Sequence, residues 1–281
     1  MRLRKAFAVI FISIIFWILS RFIIRPIFLS PHERTLQAHF ADKRIALLIA
    51  HPDDEAMFFG PTLNSLRQLS LHTSTHGSRG HDENHANLKI LCLSTGNADN
   101  LGQTRVSELQ KSAGMFGIPA SNVIIFDDVQ VQDRFGATWP ADAIAELVNP
   151  YLDEVDVIVT FDGNGVSGHG NHVSLWQFVK RMSEFRNDAG KEVWLLRSTS
   201  VIRKYLSFVD IPITYAYNWF IKVVTENEHD LASSLVVTSS ARQYALTRDA
   251  MTKAHVSQMV WFRWGWISLS RYMVVNDLQR L

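Results

Sequence analysis

Cysteine is almost absent: Cys92 is the only one in 281 residues. It cannot close an internal disulfide, and a Cys-based zinc site is excluded. No N-x-S/T sequon occurs either; with the lone thiol, this points to a cytosolic body in a reducing compartment. A large excess of one charge is also missing. Lys and Arg number 28 against 27 Asp and Glu, a net charge of +1, which argues against a general nucleic-acid binder. Charged residues make up 20% and apolar residues 47%, so the chain is neither disordered nor collagen-like. At this length one large domain or two small ones bury a core without covalent staples.

The balanced total hides a polarity. Residues 1–34 carry six basic residues and one acid, and residues 241–281 six and two, while 35–240 hold 16 basic residues against 24 acids. Basic ends around an acidic middle suit a protein lying near anionic headgroups, although a solvated surface can vary as much by chance. One long apolar run is present. Residues 6–19 (AFAVIFISIIFWIL) follow Arg2, Arg4 and Lys5. A signal peptide shares that layout but ends in a small-residue cleavage site, and no A-x-A pattern follows here. Ala6–Ile24 reaches spanning length if Arg21 snorkels to the interface. The expectation is an uncleaved anchor over 1–25, a linker over 26–43 containing Pro26 and Pro31, and a catalytic domain over 44–281. Charge does not set the orientation, because Arg21, Arg25 and Arg34 balance the three leading cations.

Short apolar runs then alternate with helical patterns. Strands are expected at Ile45–Ala50, Ile90–Ser94, Val123–Phe126 and Val155–Phe161, with helices at Pro61–Ser70, Thr104–Phe116 and Ala141–Tyr151. This alternation predicts an α/β fold, a mainly parallel sheet covered by helices on both faces. Sites in such sheets lie beyond the carboxyl ends of the strands. Residues 72–87, with His72, His76, His81 and His85, interrupt the pattern and read as a solvated insertion more readily than as a metal site.

The sequence His51-Pro52-Asp53-Asp54-Glu55 follows the first strand, and 162–172 (DGNGVSGHGNH) follows the fourth. A catalytic zinc takes three N/O protein ligands and keeps a position open. His51, Asp54 and His172 supply such a set, and Pro52 stiffens the turn so that His51 and Asp54 can converge. Asp53 is then free to act as a general base on water, and a protonated His169 could stabilise an oxyanion. The assembled chemistry is metal-assisted amide or ester hydrolysis. Taken singly, HPDD could be a strand-end turn with an N-cap Asp, and HxxH a pair of surface histidines.

HPDDE followed by GHGNH resembles the LmbE/PIG-L family of zinc-dependent de-N-acetylases. Thr104–Leu109 with Ser112-Ala113 and 116–118 is similar to the family's R-x-x-E-L helix. The 161–172 segment, His255-x-Ser257-Gln258, Trp261-Phe262-Arg263 and Ser270-Arg271-Tyr272 are close to its eukaryotic branch. Together these motifs span roughly 45–281. The resemblance implies a Rossmann-like fold, a divalent metal such as zinc on His51, Asp54 and His172, Asp53 as base, and His169 as stabiliser or acid. It implies N-acetylglucosaminylphosphatidylinositol as substrate in the second step of GPI-anchor synthesis. The implied location is the endoplasmic reticulum membrane, with a cytosolic catalytic body among membrane lipid. Arg105 falls where a substrate contact is plausible, or pairs with Glu108 one turn away. His255 either binds substrate or caps the tail helix. A de-N-acetylase of a soluble GlcNAc conjugate and a non-catalytic glycolipid-binding relative are the alternatives.

Two aromatic stretches fit a lipid substrate. Trp261, Trp264 and Trp266 sit among Arg263, Arg271 and Tyr272, and Phe208–Val224 is apolar around Pro212. Both could form a rim dipping into a membrane, or pack into the core.

Overall fold

The computed structural model describes residues 30–74, 87–134, 136–185, 191–225 and 233–281. The apolar run at 6–19 and most of the His-rich insertion lie outside them. Helix α1 (Ser30–Phe40) precedes β1 (Ile45–Ile49). Then come α2 (Gly60–Ser74), β2 (Leu88–Cys92), α3 (Gly102–Met115), β3 (Val123–Ile125), α4 (Ala141–Leu152), β4 (Val157–Phe161), α5 (Gly170–Phe185) and β5 (Glu192–Leu196). The last part contains α6 (Asp210–Thr225), β6 (Ser234–Thr238), α7 (Ala241–Asp249), α8 (Trp261–Leu269) and β7 (Val275–Arg280).

All seven strands form one sheet in the order β3-β2-β1-β4-β5-β7-β6. The central strands IALLI and VIVTF are buried along their whole length. Such continuous apolar runs belong to strands covered on both faces. β1 pairs in parallel with β2 on one side (Ile45 opposite Leu88) and β4 on the other (Ile45 opposite Val157). The chain therefore winds outward from β1 in one direction, returns, and winds outward again from β4. Right-handed crossovers put the helices of the two halves on opposite faces and open a crevice where the loops after β1 and β4 part.

The sheet is mixed rather than purely parallel, because β7 runs antiparallel between β5 and β6. Its sequence VNDLQR looks too polar for an interior strand. Asn276 is satisfied internally: its Oδ1 accepts from Thr62 N–H (3.1 Å) and Oγ–H (2.7 Å), and its amide donates to the Phe58 carbonyl (2.8 Å). The 26–43 segment is not all linker. Its residues from Ser30 form α1, with Pro31 in the first turn, where a missing N–H costs nothing. His39 and Phe40 of that helix pack on Trp194. Pro212 likewise sits in the first turn of α6 and leaves that helix unbroken. Among the described residues no helix is long and apolar enough to cross a membrane.

Candidate active site

The turn after β1 is built around three consecutive carboxylates with different duties. Asp54 Oδ2 accepts the N–H groups of Ala50 (3.0 Å) and His51 (2.9 Å), fixing the chain as it leaves the strand. Asp53 adopts φ 123°, a conformation rare for a side-chain-bearing residue. Glu55 sustains that strain from below: its Oε2 accepts the Asp53 N–H (3.2 Å), and its Oε1 accepts the Ser112 hydroxyl (2.5 Å).

The loop after β4 is shaped by Asp162, which accepts from the N–H of Asn164, Gly165 and Ser198 and from the Ser198 hydroxyl. Gly165 has φ +51°, and a Cβ there would stand 2.9 Å from the His172 Cβ. Only glycine tolerates both conditions. His172 stacks on Phe161 with ring centroids 3.8 Å apart. Its Nδ1 donates to the Gly165 carbonyl (3.2 Å), so its Nε2 carries the lone pair. That Nε2 is buried without a hydrogen-bond partner, 3.3 Å from Asp54 Oδ1.

The crevice brings His51, Asp54, His169 and His172 together. His51 Nδ1 lies 3.7 Å from Asp54 Oδ2. Ligand atoms of His51, His169 and His172 lie within 4.8 Å of one another, a group able to hold a metal ion. Tetrahedral zinc with bonds of about 2.0–2.2 Å has ligand-to-ligand edges of roughly 3.3–3.6 Å. The orphaned His172 nitrogen and its spacing to Asp54 therefore fit a divalent cation. Electrostatics agree with a site of concentrated charge. Burial pushes the Asp54 carboxyl up, but His172 and His51 beside it hold it well below the usual carboxylate range. Burial, then His172 and His51, pull His169 down to about 4. The expected protonated His169 is therefore neutral near pH 7, a hydrogen-bond donor rather than a cation.

Sequence reasoning missed Asp133, in the loop after β3. Its carboxylate lies 3.4 Å from His51 Nε2, and that imidazole lowers its pKa. Burial lowers the His51 pKa, yet Asp133 and Asp54 raise it overall. No motif marks Asp133. The only signal was its position at the carboxyl end of a parallel strand.

Arg105 faces the site rather than Glu108. It donates to the carbonyls of Gly96 (2.9 Å) and Pro52 (2.7 Å) and stands 3.6 Å from Asp53 Oδ1. Glu108 instead accepts from the N–H and hydroxyl of Ser257, both at 2.7 Å. Asp53 is also held by Arg263 of α8 at 3.0 Å. The substrate-contact reading of His255 needs correction. That residue is fully buried, with Nε2 2.6 Å from Glu55 Oε1, so it braces the Asp53 turn from behind. Arg263 also lines a cavity of about 570 Å³, bounded by Phe58, Ser167, Tyr205, Trp261 and Trp266 among others.

A family profile described as GlcNAc-PI de-N-acetylase matches residues 46–183, which hold both loops and the Arg105 helix. The probable N-acetylglucosaminyl-phosphatidylinositol de-N-acetylase of Schizosaccharomyces pombe is 34% identical, across 87% of this chain and 89% of its own. The chain belongs to the GlcNAc-PI de-N-acetylase family. The Bos taurus N-acetylglucosaminyl-phosphatidylinositol de-N-acetylase is also 34% identical, over 85% of this chain and 83% of its own length. Among solved structures, the deacetylase of the A40926 pseudoaglycone superposes with a TM-score of 0.51 at 13% identity. That match covers 85% of this chain and 97% of the other, a likeness of fold alone. Membership in the GlcNAc-PI de-N-acetylase family makes the chain a hydrolase acting on an amide.

Proposed function

We propose that the chain hydrolyses the acetamide of N-acetylglucosaminyl-phosphatidylinositol to glucosaminyl-phosphatidylinositol and acetate, the second step of GPI-anchor synthesis. The names of its relatives supply the substrate class. The observation that carries the chemistry is the buried Nε2 of His172, which makes no hydrogen bond and lies 3.3 Å from Asp54 Oδ1, with His51 on the other side of that carboxylate. His51, Asp54 and His172 would hold a divalent cation, most simply zinc, which supplies Lewis acidity toward water and the amide carbonyl. Asp53, adjacent to these ligands and aligned by Arg105 and Arg263, accepts the proton of the attacking water and returns it to the departing amine. Neutral His169, the exposed imidazole of the group, donates an N–H to the oxyanion. Arg105 holds Asp53 in place; its own burial and backbone partners keep it from reaching into the cavity. Acetate release from the lipid substrate, measured before and after chelation and again after zinc is restored, tests this reading. An absence of release in every state would reject it.

The same reading places the chain at the endoplasmic reticulum membrane, anchored by residues 6–24, with its catalytic body in the cytosol. It also places α6 and α8 against lipid. Of the 22 exposed large apolar residues among those described, 18 fall in 201–224 and 256–269, with Trp261 at 85% exposure and Phe208 at 68%. Core packing does not account for these side chains. Ile213, Tyr217, Phe220 and Val224 recur at helical spacing along one exposed stripe of α6. Large contiguous apolar patches mark interaction or membrane surfaces.

A further inference from the structure

The residue before Tyr205 is a cation with no carboxylate partner among the described residues. Lys204 ends the one-turn helix Val201–Lys204 and is 6% exposed. Its Nζ donates to the Ser167 hydroxyl at 2.8 Å. Burial lowers its pKa, and no carboxylate among the described residues raises it back. The neighbouring arginines differ in this respect. Arg203 is paired with Asp210 at 2.8 Å, Arg271 with the same carboxylate at 2.6 Å, Arg197 with Asp277 at 3.6 Å, and Arg263 with Asp53 at 3.0 Å. Burying an ammonium on a neutral hydroxyl alone is costly, and an incoming anion offsets that cost.

The position of this group identifies the anion. Ser167 lines the cavity that Arg263 also borders, and it is exposed. It precedes His169 by two residues, so their Cα atoms are no more than about 7 Å apart. The rest of that wall is aromatic, with Tyr205, Trp261, Phe262 and Trp266. Ser167, backed by the Lys204 ammonium, therefore stands between the His169 loop and an apolar wall. A glycosyl phosphatidylinositol has the same order: the amide-bearing sugar, one phosphodiester beyond the inositol ring, then acyl chains. We propose that Lys204 and Ser167 form the subsite for the substrate's phosphodiester, Lys204 by charge and Ser167 by turning its hydroxyl hydrogen to a phosphate oxygen. This assignment rests on the substrate reading above.

Lys204→Met tests it through selectivity. The expected result is that kcat/KM on the phosphodiester substrate falls at least about tenfold more than on phosphate-free GlcNAc-inositol, with the loss mainly in KM. Lys204→Arg is expected to restore part of it. Equal losses on both substrates would mean a structural role and overturn the assignment, as would no loss on either. Binding of glycerophosphoinositol, which has the phosphodiester but no acetamide, separates this failure from failure of the deacetylase reading. The wild-type chain should bind it, and Lys204→Met at least about tenfold more weakly. Unchanged binding would overturn the subsite whatever the activity. Inorganic phosphate should compete more weakly than glycerophosphoinositol; equal competition would make this a free-phosphate site and refute the diester.

Discussion

Replacing His255 with alanine separates a residue that touches substrate from one that supports the site from behind. The imidazole is fully buried with Nε2 2.6 Å from Glu55 Oε1, and the same carboxylate accepts the N–H of strained Asp53. Removing one partner of a buried pair costs about 3–5 kcal/mol, because the other is left desolvated and alone. For a domain of this size each kcal/mol shifts Tm by roughly 2–4 °C, so a fall of about 6–20 °C is expected. The pH dependence supplies an internal check. Burial lowers the His255 pKa, but Glu55 more than offsets this and holds the folded imidazole above its ordinary value. Its contribution to stability is thus complete below about pH 6.5 and is lost as pH rises through the raised folded pKa. His255→Ala should flatten that decline. The assay is thermal unfolding from pH 5 to 8, together with steady-state kinetics. A raised KM with unchanged Tm would refute the bracing role and restore the substrate contact.

Three further outcomes are expected. Asp53→Asn lowers kcat by about 10²–10⁴-fold while bound metal, measured by elemental analysis, stays stoichiometric; metal loss would instead make Asp53 a ligand. Asp54→Ala loses the metal, whereas His169→Ala keeps it and loses turnover. The opposite pattern would favour the three-imidazole set. Replacing Trp261 and Phe262 together by serine weakens the activation of the enzyme by phospholipid vesicles several-fold without lowering Tm, and a Tm fall of many degrees would show that these rings support the fold.

The first half of the fold was legible because its strands are buried on both faces and read as unbroken apolar runs, as in 45–49 and 157–161. The second half was not. β7 owes its interior place to polar groups satisfied across 214 residues of sequence, as between Asn276 and Thr62, and no local pattern reports such a partner. Pro212 and Pro31 hid helices because a proline in a first turn looks, without its neighbours, like a breaker. At the site, the residues at the ends of β1 and β4 were readable from motif and fold rule together. Asp133 was not, since a lone aspartate in a loop has many uses. His255 had the right chemistry for a substrate contact, and only its depth behind Glu55 shows otherwise.

The position of β7 has a consequence for synthesis. This strand, formed by 275–280, lies inside the sheet with β5 on one side and β6 on the other. While the ribosome still holds these residues, β5 and β6 have no bridge between them and each exposes an unpaired edge. Arg263, which pairs with Asp53, comes from the stretch just ahead. A nascent chain stalled short of 275–280 therefore has adhesive strand edges in place of a continuous sheet.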